Sequence, residues 1–300
     1  MEKAFHITAV YYFQAVAQEE IERRKQVLDC FGENPLFCGL ILLAPEGFNG
    51  TVAGPAEDIK RFKETLIELA GSDQVVFKDS FSNFKPYKRY KVKIKDEIVT
   101  FDEQIKPKGA GQNTSHLSPA EWHKMIEEED VVLVDTRNKY ETAVGMFKGA
   151  IDPKIDKFTE FKTYVETANL PKDKPVLMYC TGGIRCEKAV LDMQLRGYEN
   201  VFQLEGGILK YLEEYPDGYW DGECFVFDHR VAVDRDLKPS EKYKLCPHCG
   251  DPGGVHLDCS HCSNKAVVCS GCLEKAEYNR TCSKNCKHHY KRSLGVLDAA

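Results

Sequence analysis

The chain has 300 residues, of which 42% are hydrophobic and 29% charged, enough for two or three domains each with its own core. No apolar run approaches bilayer-spanning length, which argues against a helical membrane protein, and a net charge of -6 argues against a general nucleic-acid coat while leaving local basic patches open. The opening Met1-Glu2-Lys3-Ala4-Phe5-His6 lacks the basic-then-apolar pattern of a secretory signal, so a cytoplasmic protein is expected.

The first hundred residues alternate strand and helix signals. Residues 5 to 12 alternate into an apolar strand, residues 18 to 31 have helical spacing, and residues 36 to 43 form a second apolar strand. The turn Ala44-Pro45-Glu46-Gly47-Phe48-Asn49-Gly50 leads into Thr51-Val52-Ala53 with the look of a hairpin, Asn49-Gly50 being a common hairpin signal. A second helix follows Gly54-Pro55 and runs from 56 to 69, then a strand over 75 to 79 with residues 89 to 94 as an alternating extension. The order β-α-β-β-α-β is that of a ferredoxin-like α+β domain. Glu46 and Asn49 are polar groups on a glycine-flanked turn and are candidates for a second-domain contribution to a composite site.

Lys85, Lys88, Arg89, Lys91, Lys93 and Lys95 fall in eleven residues without an acidic one, interleaved with Tyr87 and Tyr90 and following Phe84. Such a strip suits an RNA backbone with stacking surfaces. It equally suits an edge strand whose outward lysines discourage edge-to-edge pairing.

Residues 106 to 117, with Lys106-Pro107-Lys108-Gly109-Ala110-Gly111-Gln112-Asn113, read as a linker. Ser118-Pro119-Ala120-Glu121 then combines an N-cap serine, an early proline and a capping-box glutamate, so a helix starts there. Aliphatic runs at 131 to 134, 175 to 179 and 200 to 204 alternate with helical segments, which implies a parallel sheet covered on both faces. Ligands of such sheets lie at the carboxyl ends of strands, where Asp135 and Arg137, Cys180, and Glu205 fall.

Cys180-Thr181-Gly182-Gly183-Ile184-Arg185 ends the second of these strands and opens a helix. Backbone N–H groups at the helix start and the charge of Arg185 favour thiolate over thiol, and the glycines let the backbone curl around an anion on sulfur. Cys186 either resolves an oxidised Cys180 or, the better-supported reading, fills the first helical turn as a small apolar residue. Cys30, Cys38 and Cys224 have no partner pattern.

Cys246-x2-Cys249, Cys259-x2-Cys262, Cys269-x2-Cys272 and Cys282-x3-Cys286 are four chelating pairs, sufficient for two structural tetrahedral zinc sites. Spacing does not say which pairs share an ion. His248, His256 and His261 lie among the pairs and are expected at the surface. A second basic cluster runs from Lys284 to Arg292. No flavin or haem motif is present.

Asp135-Thr136-Arg137, Tyr140-Glu141, residues 145 to 151, the Cys180 loop and Leu204-Glu205-Gly206-Gly207-Ile208 resemble, in order, a rhodanese domain. Met146 departs from the histidine many members carry. With the Pro45-to-Thr51 turn, the 84 to 99 segment and the cysteine tail, almost the whole chain resembles the rhodanese-related tRNA uridine hydroxylase family. The resemblance implies a multidomain α/β chain. Its parts would be a ferredoxin-like domain over 1–105, a linker over 106–117, a rhodanese-type parallel-sheet domain over 118–222 and a zinc-binding region over 223–300. It also implies a monooxygenase-type enzyme that performs oxygen-dependent 5-hydroxylation of wobble uridine 34 in tRNA, with prephenate required and Cys180 essential. The anticodon arm would be the partner. Rhodanese resemblance alone implies instead a sulfurtransferase carrying a persulfide on Cys180. A vestigial loop on a binding module fits poorly with an intact cysteine, two glycines and Arg185.

Overall fold

The computed structural model describes residues 5–107, 115–128 and 130–293. The glycine-rich part of the expected linker, 108–114, lies outside the described residues.

The first sheet is built from β1 (Phe5–Phe13), β2 (Cys38–Ala44), β3 (Gly47–Gly54), β4 (Phe77–Ser82) and β5 (Tyr90–Ile94), in the order β4-β1-β3-β2-β5. Helices α1 (Gln18–Asp29) and α2 (Ala56–Ala70) cover one face. Val10, Tyr12, Ile41, Leu43, Phe48 and Val52 share a core there with Ile21 and Leu28 of α1 and Ile59, Phe62 and Leu66 of α2. Strand periodicity of two sends the intervening residues to the other face, away from α1 and α2. β5 is an edge strand, parallel to β2, and its alternation puts Tyr90 and Ile94 on the core side. The turn between β2 and β3 is tighter than expected. Asn49-Gly50 lies inside β3, where Asn49 pairs with Leu42 and Gly50 with Ile41. The bend is made at Pro45-Glu46, ahead of Gly47, whose φ of +133° side chains resist.

Next come β6 (His116–Leu117), α3 (Pro119–Glu128), β7 (Val132–Asp135), α4 (Lys139–Thr142), β8 (Gly145–Phe147), α5 (Phe161–Thr167), β9 (Val176–Tyr179), α6 (Ile184–Leu195), β10 (Val201–Leu204) and α7 (Gly207–Glu214). β6, β10, β9 and β7 form a parallel sheet in that order. The Ser118–Glu121 capping box forms, Ser118 N donating to Glu121 Oε2 at 2.8 Å and Glu121 N to Ser118 Oγ at 3.3 Å. β9 is buried on both faces. Val176 and Met178 meet Phe161 and Val165 of α5 and Ala189, Val190 and Met193 of α6. Leu177 and Tyr179 meet Trp122 of α3, Ile208 and Tyr211 of α7, and Trp220. A strand so enclosed can deliver the residue that follows it, Cys180, to a fixed place.

The remaining chain is a series of short hairpins. β11 (Trp220–Gly222) pairs with β8, and β12 (Cys224–Phe225) with β13 (Ala232–Val233). Beyond them β14 (Lys244–Leu245) pairs with β15 (Pro252–Gly253), and β16 (Val255–Asp258) with β17 (Lys265–Val268), followed by α8 (Ser270–Leu273) and α9 (Lys284–Ser293). Among the described residues no helix is long and apolar enough to cross a membrane.

The two larger sheets are locked together by a buried ion cluster. Lys188, on α6, has a fully buried side chain and lies 2.8 Å from Glu46 Oε2 and 2.5 Å from Glu97 Oε2. Glu46 also accepts the Ile98 N–H at 2.8 Å, and Asn49 Nδ2 donates to the Ile98 carbonyl at 2.9 Å. Removing the lysine leaves two desolvated carboxylates facing each other. Lys188→Ala is therefore expected to lower stability by about 3 to 5 kcal/mol, seen as a fall in the urea midpoint, with Lys188→Met no better because the charge is still missing. An unchanged midpoint would contradict the lock.

Candidate active site

The loop after β9 wraps its own cysteine. Gly183 caps α6 with φ +102°, and its N–H donates to Cys180 Sγ at 3.0 Å. The loop rests on the start of α7, where Ile208 N and Leu209 N donate to the carbonyls of Cys180 and Thr181. Gly207 makes that approach possible, since a Cβ there would stand 2.5 Å from the Cys180 carbonyl oxygen. Burial raises the pKa of Cys180. A hydrogen bond from Cys186, the Arg185 charge and the Arg185 and Gly182 backbone N–H groups outweigh it and hold the thiol below its ordinary value. Arg185 is fixed by Glu141, with Nη2 at 2.9 Å from Oε1 and Nη1 at 2.9 Å from Oε2. Cys186 is fully buried, 3.6 Å from Thr136 Oγ1, and burial and the adjacent Cys180 push its pKa well up. Of the two thiols, Cys180 is the one poised as a nucleophile.

The loop forms one wall of a cavity of about 570 Å³ whose other wall is the face of the first sheet away from α1 and α2. Register sets two rows across that face: Lys78-Ala9-Thr51-Leu40-Lys91 and Tyr11-Asn49-Leu42-Lys93. Lys78 Nζ donates to the Gly182 carbonyl and sits 5.0 Å from the centre of the Tyr11 ring. Burial lowers its pKa to about 8 against the opposing pull of the Cys180 charge. The Tyr11 hydroxyl donates to Glu187 Oε1 at 3.1 Å, and Glu187 also meets His116 at 2.9 Å and Gln203 at 3.1 Å. A third wall is the segment 226–230, pinned by Arg230 Nη1 on Ser80 Oγ at 3.0 Å. Asp228, paired with Arg230, is the only carboxylate lining the cavity among the described residues, whereas Lys78, Lys88, Arg89, Lys91, Lys93 and Arg185 also line it. A cavity of this size and charge suits a small anionic ligand or one nucleotide.

The cysteine pairs interleave. Cys246, Cys249, Cys269 and Cys272 form one group and Cys259, Cys262, Cys282 and Cys286 the other, their sulfurs within 4.8 Å of one another. The first pair therefore shares a site with the third, and the second with the fourth, which the spacing left open. Each group can hold one metal ion. Knuckle turns are present, with Gly250 N on the Cys246 carbonyl and Ser263 N on the Cys259 carbonyl, both at 2.9 Å. His248 is in neither group and is not at the surface: it is buried, stacked on Tyr278, with Nε2 2.7 Å from the Thr281 carbonyl. His256 and His261 are exposed, as expected.

Residues 5–98 match the family model described as UPF0176 acylphosphatase like domain, 118–214 the rhodanese-like domain, and 221–287 the rhodanase C-terminal segment. A protein of Bdellovibrio bacteriovorus named tRNA uridine(34) hydroxylase is 45% identical over 96% of this chain and 82% of its own length. Proteins of the same name from Acinetobacter baylyi and Deinococcus radiodurans are 42% and 39% identical over 90% of this chain, and 85% and 89% of their own lengths. The chain belongs to the tRNA uridine(34) hydroxylase family.

Not all of the residues singled out from the sequence of this family member meet at the cavity. Cys180, Thr181, Gly182, Ile184 and Arg185 line it, with Gly183 buried behind them. Asn49, Lys88, Arg89, Lys91 and Lys93 line it too, whereas Lys85 and Lys95 do not, Lys85 Nζ reaching the Pro35 carbonyl at 2.6 Å. Glu46 is spent on Lys188. Asp135 and Arg137 are a fully buried ion pair, 2.6 Å apart, with Arg137 also bonded to the Gly145 carbonyl and packed 5.2 Å from the Trp220 ring centre. They brace the scaffold below the loop. Glu205 is exposed, paired with Lys210, and does not line the cavity. In α9, Lys287 and Lys291 pair with Glu277. Sequence reading overlooked Tyr11, Lys78 and Phe227. The alternation of β1 and β4 marked the first two as facing away from the core, and only the opposing loop gives them a role.

The Cys180 thiolate forms above its lowered pKa, so iodoacetamide labelling of the Cys180 peptide should reach half its maximal rate well below the ordinary thiol value of about 8.5. Arg185→Met should move that midpoint upward. A wild-type midpoint at or above the ordinary value would contradict the geometry.

Proposed function

We propose that this protein hydroxylates uridine 34 in tRNA, as the names of its relatives state for them, at C5 as the family resemblance implies, and that the reaction takes place in the cavity between the Cys180 loop and the first sheet. The observation that carries this reading is the placement of an activated thiol inside a cation-lined cavity, in a chain 45% identical to a named hydroxylase. Lys88, Arg89, Lys91 and Lys93 line the cavity, which supports a role for them in holding the phosphates of the anticodon arm. Lys85 and Lys95 extend the same stretch of chain. Arg185, the Gly183 N–H and Lys78 hold the loop around sulfur, and Asn49 offers the cavity an amide. Molecular oxygen and prephenate are the co-substrates the family resemblance implies.

A sulfurtransferase would use the same loop. The relatives over most of the chain favour the hydroxylase, as does the closure of the first sheet over Cys180, for which a sulfurtransferase has no need. We further assign the units 1–105, 118–222 and 223–300 as domains, with a cytoplasmic setting that suits both tRNA and reduced cysteines. The two cysteine groups fit zinc: at a Zn–S distance of about 2.3 Å a tetrahedron separates its sulfurs by about 3.8 Å. Cys249 and Cys269 stand 3.4 Å apart, and Cys262 and Cys286 3.6 Å. With four thiolates per ion the zinc would be structural.

In cells lacking the gene, wobble 5-hydroxyuridine derivatives measured by nucleoside mass spectrometry should be lost. Wild type should restore them and Cys180→Ser should not. Restoration by Cys180→Ser, or unchanged nucleosides in the deletion strain in the absence of a redundant pathway, would refute the reading. Metal analysis of the purified chain should give two zinc ions, and Cys249→Ser should release one. A chain without metal would refute the structural assignment.

A further inference from the structure

The tip of the β12–β13 hairpin, residues 226–231, is built at a conformational cost. Val231 has φ +65°, a region that β-branched residues rarely occupy. Strain of this kind persists where the surroundings over-determine it, and it clusters at ligand sites. Here the surroundings are many. Val226 N donates to the Val231 carbonyl at 3.0 Å and Val231 N to the Asp228 carbonyl at 2.9 Å. His229 N reaches the Pro86 carbonyl at 2.9 Å, and Arg230 ties Asp228 to Ser80. Val226, Asp228, Arg230 and Val231 are buried as a result.

Phe227, at the centre of this rigid tip, is 55% exposed. A single exposed phenylalanine on an ordinary surface needs no explanation. This one lines the cavity that holds Cys180, with the Arg185 guanidinium 5.7 Å from its ring centre and the Phe225 ring set edge-on at 5.0 Å. Its ring therefore has fixed neighbours on two sides and open cavity beyond.

We propose that Phe227 is the stacking platform for the target base, positioning the uracil ring beside Cys180 while the lysines of the first sheet hold the flanking phosphates. This deepens the function proposed above and rests on it. Chemistry on a base requires it to leave its neighbours, and an exposed aromatic face replaces the stacking it loses. Aromatic stacking does not depend on hydrogen-bond readout, so the platform orients the ring and leaves the choice of base to the polar groups around it. The cavity of about 570 Å³ has room for one nucleotide.

The test is a binding cycle with the full chain and a short RNA anticodon stem-loop carrying either uridine or an abasic site at position 34, followed by fluorescence anisotropy. Removing the base should weaken binding to wild type by about 5- to 100-fold. Phe227→Ala and Phe227→Leu should bind both hairpins alike, at the weaker level, and Phe227→Trp should restore the preference. Leucine keeps the apolar volume without the π face, so full discrimination by Phe227→Leu would reduce Phe227 to packing and overturn the proposal. Equal binding of both hairpins by wild type would overturn it too, as would no binding of either. Because the readout needs no turnover, equal binding of the two hairpins by wild type refutes the stacking role even if hydroxylation is intact. Conversely, discrimination without hydroxylation in cells refutes only the assigned reaction.

Discussion

A lysine side chain buried between two carboxylates from another sheet is the constraint on which the site depends. Lys188 stands one turn into the helix that leaves the Cys180 loop, and its partners Glu46 and Glu97 belong to the turn and the segment at one end of the first sheet. Taking three charges out of water is costly, and the arrangement survives only where geometry is fixed on all sides. The consequence is register between two folding units. With Lys188 anchored, Tyr11 reaches Glu187 and Lys78 reaches the Gly182 carbonyl, each spanning more than a hundred residues of sequence. The thiol that would open to solvent in an isolated loop is enclosed instead.

That enclosure changes what the thiol can meet. The wall opposite Cys180 is a sheet face whose polar residues alternate with its core residues, and lysines from β4 and β5 stand at its two edges. Charge is therefore segregated within an acidic chain: a net charge of -6 overall coexists with a cavity in which Asp228 is the only carboxylate among the described lining residues. The arginine of Asp228-x-Arg230 is held as Arg137 is held by Asp135, with the same 2.6 Å contact. One pair braces the scaffold below the loop and the other pins the third wall.

Much of this was legible in the sequence because the signals are local. The β-α-β-β-α-β order, the Ser118 capping box and the strand before Cys180 follow from periodicity and capping within short windows. The cysteine spacing marked chelating pairs for the same reason. What needed the structure was pairing at a distance. Crossed sharing among the cysteine pairs depends on how β14 to β17 fold over one another, and the roles of Tyr11, Lys78 and Phe227 exist only across the cavity. Asn49-Gly50 carried a hairpin signature and still became strand, because Pro45-Glu46 ahead of Gly47 turned the chain earlier. Glu46 was correctly seen as a polar group on a turn, but its partner lies on a helix no local pattern could indicate. Glu205 and Asp135 share the strand-end position of Cys180 without sharing its surroundings.

The central claim is that the target base enters the cavity between the Cys180 loop and the first sheet. Photocrosslinking of a tRNA anticodon stem-loop carrying 4-thiouridine at position 34, with the adducts mapped by mass spectrometry, tests it most directly. Adducts on the peptides containing Cys180 to Arg185, Phe227 or the cavity face of β1 are predicted. Adducts confined to α9 or to the helix-covered side of the first sheet would contradict it.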